Sequence, residues 1–595
     1  MRRGASRKTF VQEGFLIVMQ IVLKIPHYKI VVLIVGIFIA FMIMMGRLGY
    51  LQIYLNDQFS IKSQKNFLRF ETIRPPRGNI IDARGTLLAT NQPVHTLVWC
   101  GSGKQNILEV GRSLLERLSV IINKSLLEDT YLMKEIALAE RFHRRVALAA
   151  DLSFDKVCQI EEMFSGCEHL CIETEFRRFY PYTTYASHVL GYLGNIKVAP
   201  SGCMGIEQAF ERDLKGQQGT KQKTINSLGK SLAVQTIQDA LAGKDIQTTL
   251  DLSLQELAEE VFPADYRGAC VVMNPKDGSL VAVVSRPSFD PNVFLMPLMP
   301  DEWLHMQEGQ LFLNRVFNVG YPPGSIFKLV TTAAALQEGI ISPETRWTCC
   351  GHTMFANRKY LCQCTKTWGK DELTVQQALA RSCNTFFYEI GKKIPIDTLA
   401  RYAHAFGLGQ KTTMHFPEKT GLIPTSQWKM KVKGERWWPG ETLSATIGQS
   451  FILVTPIQVA RLVASIFTGY LVTPRIVVNE PIVHQPLTIR EDILVFLQDS
   501  MRAVVTQGTG RRMNRIKDLE IYAKTSTAQT SGLDKRKLGV QHLEHGWFAA
   551  YFSYKHHEPL VLVLLVENAG SSRITAMMAK KFLLGYTGLM DGIKA

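Results

Sequence analysis

Ser325 and Lys328 lie three residues apart in YPPGSIFKLVTTAAALQEG. On a helix that spacing sets the two side chains on one face about one turn apart, so the lysine nitrogen reaches the hydroxyl. Pro322, Pro323 and Gly324 form a turn just ahead and an apolar helical pattern follows. Ser325 therefore falls at a helix start, where partial positive charge favours a developing anion. A serine is a poor nucleophile until an adjacent base activates it, and this pairing suits acyl transfer. The motif needs company, because a serine at a helix start is ordinarily a cap. Ser153–Lys156, Ser227–Lys230 and Ser426–Lys429 repeat its spacing.

Company comes from two downstream stretches. Ser382-Cys383-Asn384 stands in ALARSCNTFFYEIG, beside a helical pattern, and Lys524-Thr525-Ser526-Thr527 stands in LEIYAKTSTAQT, a strand-like alternation. In this order the three resemble the S-x-x-K, S-x-N and K-T-G set of penicillin-binding proteins and serine β-lactamases. Lys419-Thr420-Gly421 spells K-T-G to the letter, whereas Lys524-Thr525-Ser526 has serine in place of the glycine. The prolines of FPEKTGLIPT make Lys419 a loop residue. Catalysis needs the lysine on a rigid strand facing the nucleophile, so Lys524 is the expected third element.

The elements that must hold these residues extend the resemblance over most of residues 47–590. RPPRGNIIDARGTLLATN, RRFYPYTTYASHVLGYLG and GIEQAFERDLKGQQGT look like the non-catalytic module of class B penicillin-binding proteins. VVMNPKDGSLVAVVSRPSFDPN, WWPGETLSATIGQS and TPIQVA look like that family's transpeptidase domain. YPPGS, WWPGET and KTSTAQ resemble the cell-elongation type, penicillin-binding protein 2, more than the septal type. The implied fold is mixed α/β and membrane-anchored: an elongated N-terminal pedestal, then a transpeptidase domain with a five-stranded antiparallel sheet covered by helices. Its first strand pair, RGACVVMNP and SLVAVVSRP, reads as a hairpin around Asp277-Gly278. The expected division is a cytoplasmic tail (1–29), an anchor (30–46), a pedestal or dimerisation-type module (47–245) and the catalytic domain (246–595).

The resemblance implies roles. Ser325 attacks the carbonyl of a D-alanyl-D-alanine stem peptide and forms an acyl-enzyme, with Lys328 as base. Ser382 relays a proton to the departing D-alanine, and Asn384 orients Lys328 and the substrate amide. Lys524 supplies positive charge and Thr525 a hydroxyl for the substrate carboxylate. The backbone N–H groups of Ser325 and Thr527 hold the oxyanion. Ser526, larger than the family glycine, is expected to tighten the site. An amine from a neighbouring stem peptide then takes the acyl group, with carboxypeptidase activity as a further outcome. β-Lactams acylate the same serine, and no cofactor is needed. Implied partners are stem peptides and lipid-linked precursor products, a separate SEDS-family glycan polymerase, elongation-complex envelope proteins and the membrane.

The remaining composition bounds the setting. Hydrophobic residues at 46% and charged residues at 20% mark a globular chain. Ile30 to Gly46 is an unbroken apolar run without a cleavage signature after it, which reads as an uncleaved anchor. Arg2, Arg3, Arg7, Lys8, Lys24 and Lys29 precede it, so the tail stays inside and the rest faces the periplasm or extracytoplasmic space. Phe15 to Leu23 reads as an interfacial segment, or as a short first span that would invert this topology. The formal charge of +16 is scattered rather than striped, which argues against nucleic acid. All 11 cysteines follow the anchor, where disulfides persist. Cys349, Cys350, Cys362 and Cys364 read first as a disulfide across the loop, then as a zinc site or free thiols. Cys383 reads as a small buried residue.

Two other classes use the same pocket. A β-lactam sensor needs a signalling partner domain, and only a short basic tail stands on the inner side. A β-lactamase hydrolyses its acyl-enzyme and lacks a long N-terminal module. Ser526 also leaves open a scaffold with a dead site.

Overall fold

The computed structural model describes residues 27–103, 109–142, 144–194, 200–226, 231–296, 298–412, 415–529 and 539–592. Helix α1 (His27–Gly49) is apolar along its length, with mean hydropathy reaching 2.6 and nothing buried inside the protein. Its 23 residues span about 35 Å, enough for the roughly 30 Å hydrocarbon core of a bilayer. It is the membrane-spanning helix, and the expected run 30–46 lies within it. Phe15 to Leu23 and the basic residues from Arg2 to Lys24 lie outside the described residues.

The chain beyond α1 forms two compact units, each assembled from separated stretches. The smaller comprises residues up to Ile73 with 95–173 and 218–239, and the larger 74–94, 174–217 and 240–595. The smaller unit takes in β1 (Leu68–Ile73), the last residues of β2 (Leu87–Cys100), α2 (Glu109–Ile122), α3 (Thr130–Phe142), β3 (Arg145–Leu152), α4 (Phe154–Met163), the start of β4 (Leu170–Phe179), β5 (Gly219–Ile225) and β6 (Ser231–Gln238). Leu115, Leu118 and Ile122 recur along one face of α2 and pack with Trp99, Ile136 and Leu148. β5 lies between β1 and β6 in a separate three-stranded sheet.

The larger unit is built on one antiparallel sheet. Its strands are β7 (Gly268–Met273), β8 (Leu280–Arg286), β9 (Leu519–Ala528), β10 (His545–Tyr554) and β11 (Leu560–Val566), in the order β8-β7-β11-β10-β9. The β7–β8 hairpin pairs Gly268 with Arg286 and Met273 with Leu280, turning where Asp277-Gly278 predicts. β11, LVLVLLV, is buried at every position. Continuous burial requires cover on both faces, and alternation divides its side chains between two cores. Val561, Val563 and Leu565 join the core that contains Val459, Val463 and Ile466. Leu560, Leu562, Leu564 and Val566 join the core of Leu257, Ala579, Phe582 and Leu583.

Segments expected within the N-terminal module belong to this larger unit. Glu207, fully buried, accepts bonds from Arg77 (2.6 Å), Arg178 (2.7 Å) and the Tyr180 hydroxyl (3.1 Å). Ile80, Leu88, Val189 and Ile206 share its main apolar core. The compact unit thus draws on blocks on either side of residues 95–173.

Candidate active site

Gly324–Ile326 forms a single tight turn that leads into α5 (Lys328–Gln337). Gly324 has φ +53°, and a side chain there would collide with the Ser526 hydroxyl. Only glycine lets this turn press onto β9. The turn is fastened at two points: Ser526 Oγ donates to Pro323 O (2.8 Å) and Trp547 Nε1 donates to Pro322 O (3.0 Å). Ser526 and Trp547 face each other in the β9–β10 register. The Ser526 side chain, 2% exposed, is therefore turned into this seam. The tightening expected of it takes the form of a tie rather than crowding.

Ser382 sits between α6 (Val375–Ala380) and α7 (Asn384–Gly391). Its φ of +53° is left-handed. The N–H groups of Ser382 and Cys383 close the helix end by donating to Leu379 O (3.1 Å) and Ala378 O (2.8 Å). A non-glycine residue rarely holds this conformation, and such positions cluster at functional sites.

The Ser382 hydroxyl is the hub. It lies 2.9 Å from Ser325 Oγ, 3.2 Å from Lys328 Nζ and 3.2 Å from Lys524 Nζ. Lys328 Nζ also donates to Asn384 Oδ1 (2.7 Å) and Ser382 O (2.9 Å), and Lys524 Nζ donates to Thr525 O (2.9 Å). Both lysines are fully buried. Burial lowers the Lys328 pKa to about 8. Burial, and then the charge of Lys328, hold Lys524 well below the ordinary lysine value. Two like charges around one hydroxyl oppose each other, so the cluster favours a neutral amine able to accept a proton. Thr525 turns the other way, its hydroxyl 2.7 Å from that of Thr509, and Thr527 Oγ1 accepts the Ser572 N–H (3.0 Å). The arrangement can activate Ser325, carry its proton through Ser382 and receive a carboxylate along β9.

The repeats of the motif are occupied otherwise. Ser426 Oγ donates to Asp397 and Lys429 to Glu441 (2.6 Å). Lys156 Nζ donates to Ile122 O (3.3 Å). Ser227–Lys230 lies outside the described residues. Lys419 is exposed in a loop, as its flanking prolines predict.

The cysteine set differs by one residue from that expected. The sulfurs of Cys349, Cys362, Cys364 and Cys383, all buried, lie within 4.8 Å of one another. Cys350 is exposed, because adjacent residues on extended chain point to opposite sides. Cys383, read as a core residue, takes its place. No disulfide joins them: the sulfur separations are 3.4 Å (Cys349–Cys364), 3.2 Å (Cys362–Cys364) and 3.9 Å (Cys362–Cys383). Zinc bound to four thiolates at about 2.3 Å would separate the sulfurs by about 3.8 Å, so the donor set fits. The Asn384 N–H (3.1 Å) donates to Cys362 Sγ and the Thr385 hydroxyl (3.1 Å) to Cys349 Sγ, the bonding that steadies metal thiolates. Sequence spacing alone missed Cys383, Trp547 and Thr509. The alternation of HGWFAAYF, paired with β9, is the signal for Trp547.

Residues 268–584 match the penicillin-binding protein transpeptidase domain family, and residues 72–248 the penicillin-binding protein dimerisation domain. The peptidoglycan D,D-transpeptidase MrdA of Acinetobacter baumannii is 29% identical over 91% of this chain and 85% of its own length. MrdA of Escherichia coli K12 is 27% identical over 92% of each. A chain from a structure on coordination of polymerization and crosslinking by a peptidoglycan synthase complex superposes with TM-score 0.73, at 30% identity, covering 94% of this chain and 98% of that one. Helicobacter pylori penicillin-binding protein 2, solved with MreC, gives TM-score 0.72 at 26% identity over 88% and 99%.

Proposed function

The chain belongs to the class B penicillin-binding proteins, as a penicillin-binding protein 2 or MrdA-like D,D-transpeptidase of peptidoglycan crosslinking, and from that premise we propose that Ser325 is its nucleophile and cell-wall elongation its task. The observation that carries this reading is the shared hydroxyl of Ser382, which joins Ser325 to two buried lysines. Ser325 Oγ attacks the penultimate D-alanine carbonyl of a donor stem peptide while its proton passes through Ser382 to the neutral Lys328. The Ser325 and Thr527 N–H groups stabilise the oxyanion. Ser382 returns the proton to the departing D-alanine, and Thr525 and Thr527 receive the substrate carboxylate. The acyl group then passes to an amine of a second stem peptide, or to water as a carboxypeptidase side reaction. β-Lactams acylate the same serine.

Cys349, Cys362, Cys364 and Cys383 would hold a structural zinc ion, which would fasten their loop to the start of the helix that Asn384 opens. Both compact units, the catalytic one included, face the extracytoplasmic side. A SEDS-type polymerase and an MreC-like envelope protein are the proposed partners; one related chain was solved with MreC, and another in a study of a peptidoglycan synthase complex that coordinates polymerization and crosslinking.

The test is intact-mass analysis of the protein after penicillin labelling, with the modified peptide mapped. One adduct on Ser325, absent in Ser325→Ala, is expected. An adduct on Ser153, Ser227 or Ser426, or labelling that survives Ser325→Ala, overturns the assignment.

A further inference from the structure

A basic pocket opens beside the active site, on the far side of Thr525 from Lys524. Its volume is about 480 Å³, and its lining includes Thr509, Arg511, Arg512, Thr525, Arg573 and Lys580. Arg573 and Lys580 lie seven residues apart on α8 (Ser572–Met590), with Ala576 and Met577 between them on the same face. Arg511 and Arg512 come from the short turn Arg511–Met513. Trp368 adds an apolar wall, and no acidic residue lines the space. None of the four cations forms an ion pair with a described residue, whereas Arg315, Lys429 and Arg475 elsewhere in the unit do. Four like charges around one concavity raise its positive potential, which favours an anionic occupant. Thr525 belongs to both places: it stands on the strand of Lys524 and its hydroxyl bonds Thr509 in the pocket wall.

We propose that this pocket is the subsite for the acceptor strand, binding the carboxylates of the second stem peptide while its amine reaches the acyl group. The inference rests on the transpeptidase reading above. The attacking amine must reach the acyl carbon along the path on which the D-alanine amine left, since both are the nitrogen partner of the same tetrahedral centre. That path runs past Thr525. The leaving D-alanine brings one carboxylate, which the β9 threonines are placed to receive. Four cations and this volume suit a longer, multiply charged peptide. In the transfer step the amine nitrogen forms the new C–N bond as the bond from the acyl carbon to Ser325 Oγ breaks, and the amine proton returns to Oγ through Ser382. Arg511, Arg512, Arg573 and Lys580 act here as positioning groups that hold the acceptor in reach.

The experiment uses the full-length protein in detergent, with a thioester analogue of the donor stem peptide. Two synthetic acceptor peptides are compared, one with free carboxylates and one fully amidated. The readouts are the rate of penicillin acylation and the partition of the acyl-enzyme between transfer and hydrolysis. Arg511→Glu/Arg512→Glu, and separately Arg573→Ala/Lys580→Ala, should raise the KM of the free-carboxylate acceptor at least about tenfold, the effect of losing one charge-assisted bond. Hydrolysis should rise at the expense of transfer, while penicillin acylation, which needs no acceptor, proceeds at its usual rate and reports an intact fold. Arg511→Lys/Arg512→Lys should restore most of the transfer, and the amidated acceptor should not distinguish the variants. Unchanged transfer overturns the proposal. If acylation by the donor falls together with transfer, the cations serve the leaving carboxylate and the acceptor assignment is wrong. A wild-type protein that takes no label at Ser325 defeats the underlying reading instead.

Discussion

Lys328 can accept the proton of Ser325 only when neutral, and burial sets its pKa at about 8. Below that value the ammonium form predominates and acylation slows about tenfold per pH unit; above it the rate levels off. Stopped-flow penicillin acylation between pH 5.5 and 9.5 checks this, and a flat profile would remove Lys328 from the role of base. Ser526→Gly removes the bond to Pro323 O. It should cost about 1 kcal/mol of stability and slow acylation several-fold by loosening the nucleophile turn. Thermal melts and acylation rates measure both, with Lys419→Ala in the exposed loop as the neutral comparison. The positions of Ser325, Lys328, Ser382 and Lys524 were legible because each lies in a short local pattern. The direction of the Ser526 side chain was not, since it depends on a turn two hundred residues away.

At the scale of elements, the loop carrying Cys349, Cys362 and Cys364 is fastened to the start of the Asn384 helix through Cys383. The Asn384 N–H itself donates to Cys362 Sγ. Removing the tie should therefore reach the lysine. Purified protein should carry one zinc per chain by elemental analysis. Cys362→Ala, or prolonged chelation, should remove it, lower the Tm by at least about 5 °C and slow acylation. Zinc content near zero in carefully purified, fully reduced protein would exclude the site. Four cysteines were visible between the first two motifs, but which of them turn inward depends on chain direction at Cys349–Cys350. The sheet was easier to read: the hairpin and the C-terminal strands each carry their own alternation and turn. Which strand lies in the middle depends on long-range pairing, and β11 takes that place.

For the whole molecule, the larger unit is discontinuous, and its core includes Ile80, Leu88, Val189 and Ile206. A truncated chain beginning at residue 246 loses these along with Arg77, Arg178 and Glu207. It should fail to bind penicillin and should be recovered aggregated or unfolded by circular dichroism. A chain beginning near residue 56, lacking only the N-terminal tail and the anchor, should be acylated at the full-length rate. Efficient labelling of the shorter form would show that the core closes without those segments. The sequence blocks around Arg77 and Glu207 were legible as ordered, but their membership was not, because a buried ion cluster pairs residues about 130 apart and leaves no local pattern. The strand order has a consequence in time. β7 and β8 end at residue 286, yet β7 must wait for β11 at 560–566, and Ser325 must wait for Lys524 on β9. No catalytic face exists until synthesis has passed Lys524 on β9 and the whole of β11, so a nascent chain stalled short of residue 566 is chemically silent.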